Sequence, residues 1–153
     1  MALPYSDNKK LTVINFFGGP GTGKSTTAAG LFHLMKCQYY NVELVTEYAK
    51  DLVWAERQTM FTEQDYIFAK QNNKLRRLVG KVSYAVTDSP LLLGLFYLPF
   101  NFPSTFPPFA MEVFNTYNNI NIYLRRIKPY VPLGRNQTEE QAKRCSASRT
   151  PKV

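Results

Sequence analysis

Histidine occurs once in this chain, at His33, and cysteine twice, at Cys37 and Cys145. The cysteines have no metal-ligand spacing, which removes a thiolate zinc centre from consideration. No secretory signal precedes them, so the expected compartment is a reducing cytoplasm, that of the host if the chain is viral. Long apolar runs are also missing. The longest, Pro90 to Phe100, is interrupted by Gly94 and falls short of the ~18 residues that a bilayer span requires, so no membrane partner is expected. Acidic residues are scarce, 11 against 19 Lys and Arg, giving a net charge of +8. The imbalance is local: residues 1–124 carry 11 basic and 9 acidic side chains, residues 125–153 carry 8 and 2. A basic field over the whole surface would suit nucleic acid, whereas a single C-terminal cluster fits a lid that clamps phosphates better. With 44% hydrophobic residues and 153 residues in all, the chain can bury one core but not two.

Against these absences stands one dense motif, Gly18-Gly19-Pro20-Gly21-Thr22-Gly23-Lys24-Ser25. It reads G-x-x-x-x-G-K-S between the apolar run Leu11 to Phe17 and a helix-like run from Thr26 to Lys36, the strand-loop-helix setting of a phosphate-binding loop. Glycines allow positive φ, so successive N–H groups converge on an anion at the positive end of the following helix. Gly18, Gly19, Gly21, Thr22, Gly23, Lys24, Ser25 and Thr26 are therefore the candidate ATP-binding residues. Lys24 is expected on the β- and γ-phosphates and Ser25 on Mg²⁺.

The remaining elements are placed around this loop. Leu11 to Phe17 suits a central parallel strand, and the helix after the loop has Ala28, Leu31, Leu34 and Met35 as its apolar face. His33 sits on that helix's flank with nothing nearby to mark it as a base. Asn41 to Thr46 reads as a second strand ending on Glu47. In an open α/β sheet, ligands bind beyond the carboxyl ends of the strands, so Glu47 is a candidate to orient an acceptor hydroxyl and take its proton; the alternative is a helix N-terminal acid. Trp54 either faces a substrate base or packs. Thr62-Glu63-Gln64-Asp65 resembles a capping box that opens a helix reaching about Val79. Val82 to Thr87 reads as a third strand ending on Asp88, the expected second Mg²⁺ partner or an N-cap for a helix starting at Pro90. Pro99 to Pro108 is too proline-rich for a regular helix, and its phenylalanines at 100, 102, 106 and 109 serve as aromatic walls or as a cover. A short helix over Phe109 to Tyr117 and a fourth strand over Asn121 to Leu124 follow. Arg126 and Arg135 belong to a basic, Pro/Gly-containing lid over 125–142, within which Thr138-x-x-Gln141 looks like a helix start.

Together the loop at 18–25, the Thr46-Glu47-Tyr48-Ala49-Lys50 segment, Thr87-Asp88-Ser89-Pro90 and the Tyr130 to Ala142 region resemble the NadR-type ribosylnicotinamide kinases and the related nucleotide kinases of tailed bacteriophages, over about residues 11–144. The resemblance implies ATP- and Mg²⁺-dependent phosphorylation of a nucleoside or nucleotide, with Glu47 at the acceptor and Arg135 in the lid. It also implies a five-stranded core whose last strand follows the lid. Only nine residues follow Arg144, so the expected fold is an α/β phosphate-loop NTPase with a parallel sheet of about four strands flanked by helices, its C-terminal part missing. The open sheet edge would then favour a homo-oligomer. Residues 1–144 form the kinase-like domain in this reading and 145–153 an irregular tail. The alternatives are a polynucleotide 5′-hydroxyl kinase and an ATP-binding regulatory or interaction protein with weak turnover.

Overall fold

The computed structural model describes residues 10–127 together with 138, 140 and 141. β1 (Thr12–Phe17) leads into α1 (Lys24–Cys37), followed by β2 (Val42–Val45), α2 (Tyr48–Trp54), a first 3-10 helix (Gln58–Thr62) and α3 (Gln64–Arg76). β3 (Tyr84–Thr87), a second 3-10 helix (Leu91–Tyr97), α4 (Phe106–Phe114) and β4 (Asn118–Tyr123) complete the described chain. The four strands pair in the order β2-β3-β1-β4, all parallel, with Ile14 opposite Val86 on one side and Ile120 on the other. This is the α/β architecture with a parallel sheet of four strands flanked by helices that the pattern predicts.

Successive residues of a strand face opposite sides of the sheet, and both sides are covered here. Val13 and Ala85 join Phe68 and Leu75 of α3 and Ala110, Val113 and Phe114 of α4 in one core. Ile14, Phe16 and Val86 pack with Ala28 of α1 in the other. Asn15 is the polar exception in β1: buried, it donates to Asn119 Oδ1 at 2.9 Å and Asn121 Oδ1 at 3.0 Å and so stitches β1 to β4. On the far side of the sheet Thr87 Oγ1 donates to the Val45 carbonyl at 2.8 Å, tying the end of β3 to β2.

Several boundaries differ from expectation, each for a local reason. On α1 the half-buried residues are Leu31, Phe32 and Met35, while Leu34 is 59% exposed, because a 3.6-residue period from Ala28 selects 31, 32 and 35. Thr62-Glu63-Gln64-Asp65 is not a capping box: Thr62 closes the first 3-10 helix, its Oγ1 donating to the Thr59 carbonyl at 3.2 Å, and Glu63 caps α3 without a side-chain bond. The helix after Asp88 is of the 3-10 type and begins at Leu91, with Pro90 ahead of it, so Asp88 is not its cap. The proline-rich stretch does enter a helix, since α4 starts at Phe106 with Pro107 and Pro108 in its first turn, where the missing N–H groups would have no intrahelical partner anyway. β4 begins three residues earlier than expected, at Asn118, because Leu11 and β1 pair with it from that point.

Candidate functional site

The strand order decides what meets at the carboxyl edge. β1 lies between β3 and β4, so the loop that leaves Phe17 has the residues after Thr87 on one side and those after Tyr123 on the other. Within that loop Gly21 and Gly23 take φ of 79° and 91°, values that L side chains rarely adopt. At Gly18 space is the issue: a Cβ would lie 2.6 Å from Thr22 Oγ1 and 3.0 Å from the Leu124 carbonyl oxygen. Thr22 Oγ1 donates to the Gly19 carbonyl at 2.9 Å, and Lys24 Nζ lies across the loop, donating to the carbonyls of Gly18 at 2.9 Å and Gly19 at 3.1 Å. Gly23 is the N-cap of α1, whose first turn has no acidic residue, so the positive helix end is left for an anion. Thr26 is exposed in that turn. Arg126 reaches back under the loop, its Nη2 donating to the Pro20 carbonyl.

Ser25 and Asp88, 63 residues apart in sequence, meet directly: Ser25 Oγ donates to Asp88 Oδ2 at 2.5 Å. Asp88 is buried, and its Oδ1 has no hydrogen-bond partner among the described residues. A buried carboxylate oxygen of this kind is costly unless something else satisfies it. A hard divalent cation with oxygen ligands fits this hydroxyl-carboxylate pair beside the phosphate loop. The two residues singled out for Mg²⁺ are thus brought together, and no cluster of three or more His, Cys, Asp or Glu side chains offers a rival metal site among the described residues.

Beyond the loop opens a cavity of about 370 Å³, bounded by the loop itself, α2, α3, both 3-10 helices and the start of α4. Glu47, the N-cap of α2, is half-buried on its wall, with Lys50 nearby and Phe61, Phe68, Phe106 and Tyr97 supplying aromatic surface. Phe106 belongs to the wall, and its ring meets Phe68 edge-on at 5.5 Å between centroids and Phe102 at 5.0 Å. Phe100, by contrast, is fully exposed, and Trp54 is 62% exposed and does not line the cavity.

Amides on the buried face of α3 are the part that pattern reading misses. Gln64, Gln71 and Asn72 are buried in the stripe that also carries Phe68 and Leu75. Gln71 spends both ends on the loop that carries Glu47: its Oε1 accepts from Tyr48 N at 2.9 Å and its Nε2 donates to the Thr46 carbonyl at 3.3 Å. Lys74 adds a bond to the same carbonyl at 3.2 Å and an ion pair with Asp51 at 3.1 Å. Asn72 Oδ1 accepts from Tyr117 Oη at 2.8 Å. The available signal was helical spacing of amides in register with Phe68 and Leu75, a pattern that a search for apolar periodicity passes over. At the outer surface Tyr48 donates to Tyr66 across 3.3 Å; this bond raises the Tyr48 phenol above its ordinary pKa and, with help from Lys70, lowers that of Tyr66.

Arg135 and most of the expected lid lie outside the described residues. Thr138 and Gln141 are described, and they form the reciprocal cap expected of them: Gln141 Oε1 accepts from Thr138 N at 2.8 Å and Thr138 Oγ1 from Gln141 N at 3.3 Å. His33 is exposed, 3.7 Å from the Cys37 sulfur, and does not line the cavity.

A parallel α/β sheet whose central strand feeds a glycine loop and helix, with a Ser-Asp pair at the same edge, defines a P-loop NTPase. The chain belongs to the family of a model described as an AAA domain, which matches residues 13–149. No curated protein matches it. Among solved structures it is similar to the crystal structure of a protein called APE1195, at 20% identity and a TM-score of 0.44, covering 76% of this chain and 62% of that one. No helix among the described residues is long and apolar enough to cross a membrane.

Proposed function

We propose that this P-loop, nucleotide-binding domain is a small-molecule kinase that transfers the γ-phosphoryl group of ATP to a hydroxyl or phosphate of a nucleoside or nucleotide. The observation that carries this reading is the cavity: about 370 Å³ of partly aromatic space opening from the phosphate loop, with Glu47 on its wall. That volume is within the range of small-ligand sites, which favours a small acceptor over a polynucleotide. The resemblance to NadR-type and bacteriophage kinases points to the same acceptor class.

In this mechanism the loop amides and the α1 N-terminus bind the phosphates, and Lys24 exchanges its bonds to the Gly18 and Gly19 carbonyls for phosphate oxygens. Ser25 and Asp88 would hold Mg²⁺, which when bound would supply charge that neutralises the phosphates. Glu47, steadied by Gln71 on either side of it, orients the acceptor hydroxyl and takes its proton as that oxygen bonds to phosphorus and ADP leaves with the electron pair of the broken P–O bond. Most of the rate comes from positioning and electrostatics rather than from the base.

The test is ADP release with Mg²⁺ across nucleosides, nucleotides, nicotinamide riboside and a 5′-hydroxyl oligonucleotide, with Lys24→Ala as control. ADP formation should depend on a small acceptor and fall by about 10²–10³-fold in the control. Turnover with the oligonucleotide alone, with affinity falling steeply as salt rises, would replace this reading with polynucleotide phosphorylation. ATP binding with no ADP from any acceptor would leave a nucleotide-binding protein only.

A further inference from the structure

The cavity wall contains a buried amide whose two ends are used differently. Gln64, the first residue of α3, is 6% exposed and lines the cavity. Its Nε2 donates to the Phe61 carbonyl at 2.7 Å, which fixes the orientation of the amide. No donor among the described residues reaches its Oε1. Gln71, the neighbouring buried amide on the same wall, has both ends committed to the backbone around Glu47 and is unavailable to a ligand.

Gly94 explains how the Gln64 oxygen stays open. A Cβ on Gly94 would come 3.3 Å from Gln64 Oε1, and Gly94 also lines the cavity. Its φ is not among the positive values that would require glycine, so the missing side chain serves space rather than backbone conformation. The carbonyl oxygen of this buried residue, with room in front of it and beside Phe61, Phe68 and Phe106, is a hydrogen-bond acceptor at the edge of a site for a flat ring.

We infer that Gln64 is a specificity-determining residue and that the acceptor is a nucleoside or nucleotide whose base carries an edge N–H₂ group, an exocyclic amine or a carboxamide. This rests on the acceptor-cavity reading above. A ring that presents only a carbonyl or a C–H at that edge leaves the Gln64 oxygen desolvated without a partner, and a carboxylate there sets like charge density against it. Nε2 cannot turn inward to serve such a ring without abandoning the Phe61 carbonyl.

Calorimetry on matched pairs tests this: adenosine against purine riboside, which lacks the amino group, and nicotinamide riboside against nicotinic acid riboside. In the intact protein the N–H₂ member of the pair that binds should be favoured by about tenfold or more. Gln64→Met removes the oxygen and should bring the ratio towards unity, and Gly94→Ala, which puts a methyl group 3.3 Å from that oxygen, should lower the ratio, both with ATP affinity unchanged. Retained ATP binding and far-ultraviolet circular dichroism establish that each variant is folded. Equal binding of both members to the intact protein overturns the inference, as does a ratio that survives in both variants. No binding of any nucleoside by protein that still binds ATP overturns the acceptor-cavity reading itself.

Discussion

One continuous stretch, Gly18 to Ser25, supplies the phosphate loop, whereas the cavity beside it draws its wall from α2, α3, both 3-10 helices and the start of α4. The loop works through backbone: positive φ at Gly21 and Gly23, and carbonyls held by Thr22 and Lys24. The cavity works through side chains brought together from separate elements, as Gln71 of α3 holds the two peptide groups flanking Glu47. A backbone device tolerates little change where positive φ or close approach demands glycine, as at Gly18, Gly21 and Gly23. One built of side chains can be altered residue by residue, so the acceptor can differ between proteins that share the loop.

That contrast can be broken most severely at Gly18. Gly18→Ala drives a methyl group into Thr22 Oγ1 and the Leu124 carbonyl, and the carbonyl is backbone that cannot swing away. Overpacking of this kind costs about 1–3 kcal/mol, so urea denaturation should show that loss together with loss of ATP binding. A variant of full stability that binds ATP normally would show the loop to be more forgiving than its geometry. On the cavity side, Gln71→Ala should leave ATP affinity intact and lower kcat by about 10–10²-fold, because Glu47 loses the bonds that flank it while the loop is untouched. Steady-state kinetics with separate ATP and acceptor titrations reads this, and an effect confined to the ATP KM would contradict it. The smallest change belongs to the outer surface. Tyr48→Phe should leave turnover within about twofold. In an ultraviolet pH titration it should raise the Tyr66 pKa, since the bond that Tyr48 donates is the largest influence lowering it.

The same contrast explains what could be read from sequence. Gly18 to Ser25 is contiguous, and its chemistry needs those residue types at that spacing, so the loop and the strand and helix around it were legible. Asp88 was legible because it ends an apolar strand, and the strand order then brings it to Ser25. Gln64, Gln71 and Gly94 were not, because a buried glutamine has the composition of a surface one and only the fold reveals what its ends touch. α3 shows this most plainly. Its buried face is set by Gln64, Phe68, Gln71, Asn72 and Leu75, while the aromatic Tyr66 is 37% exposed. α4 starts earlier than composition suggests for a different reason: Pro107 and Pro108 break helices in the interior, yet in a first turn they cost no intrahelical bond.

The central claim is that the backbone-built and side-chain-built halves form one site, with the acceptor next to the terminal phosphate. The most direct measurement is the affinity of a bisubstrate compound in which adenosine is joined through a polyphosphate to the acceptor nucleoside. Occupying both halves at once should make it bind about 10²–10⁴-fold more tightly than ATP or the nucleoside alone, with Gln71→Ala and Lys24→Ala each removing part of that gain. A compound that binds no better than ATP, with ATP and nucleoside affinities unaffected by each other, would mean that the cavity and the phosphate loop do not serve a common reaction.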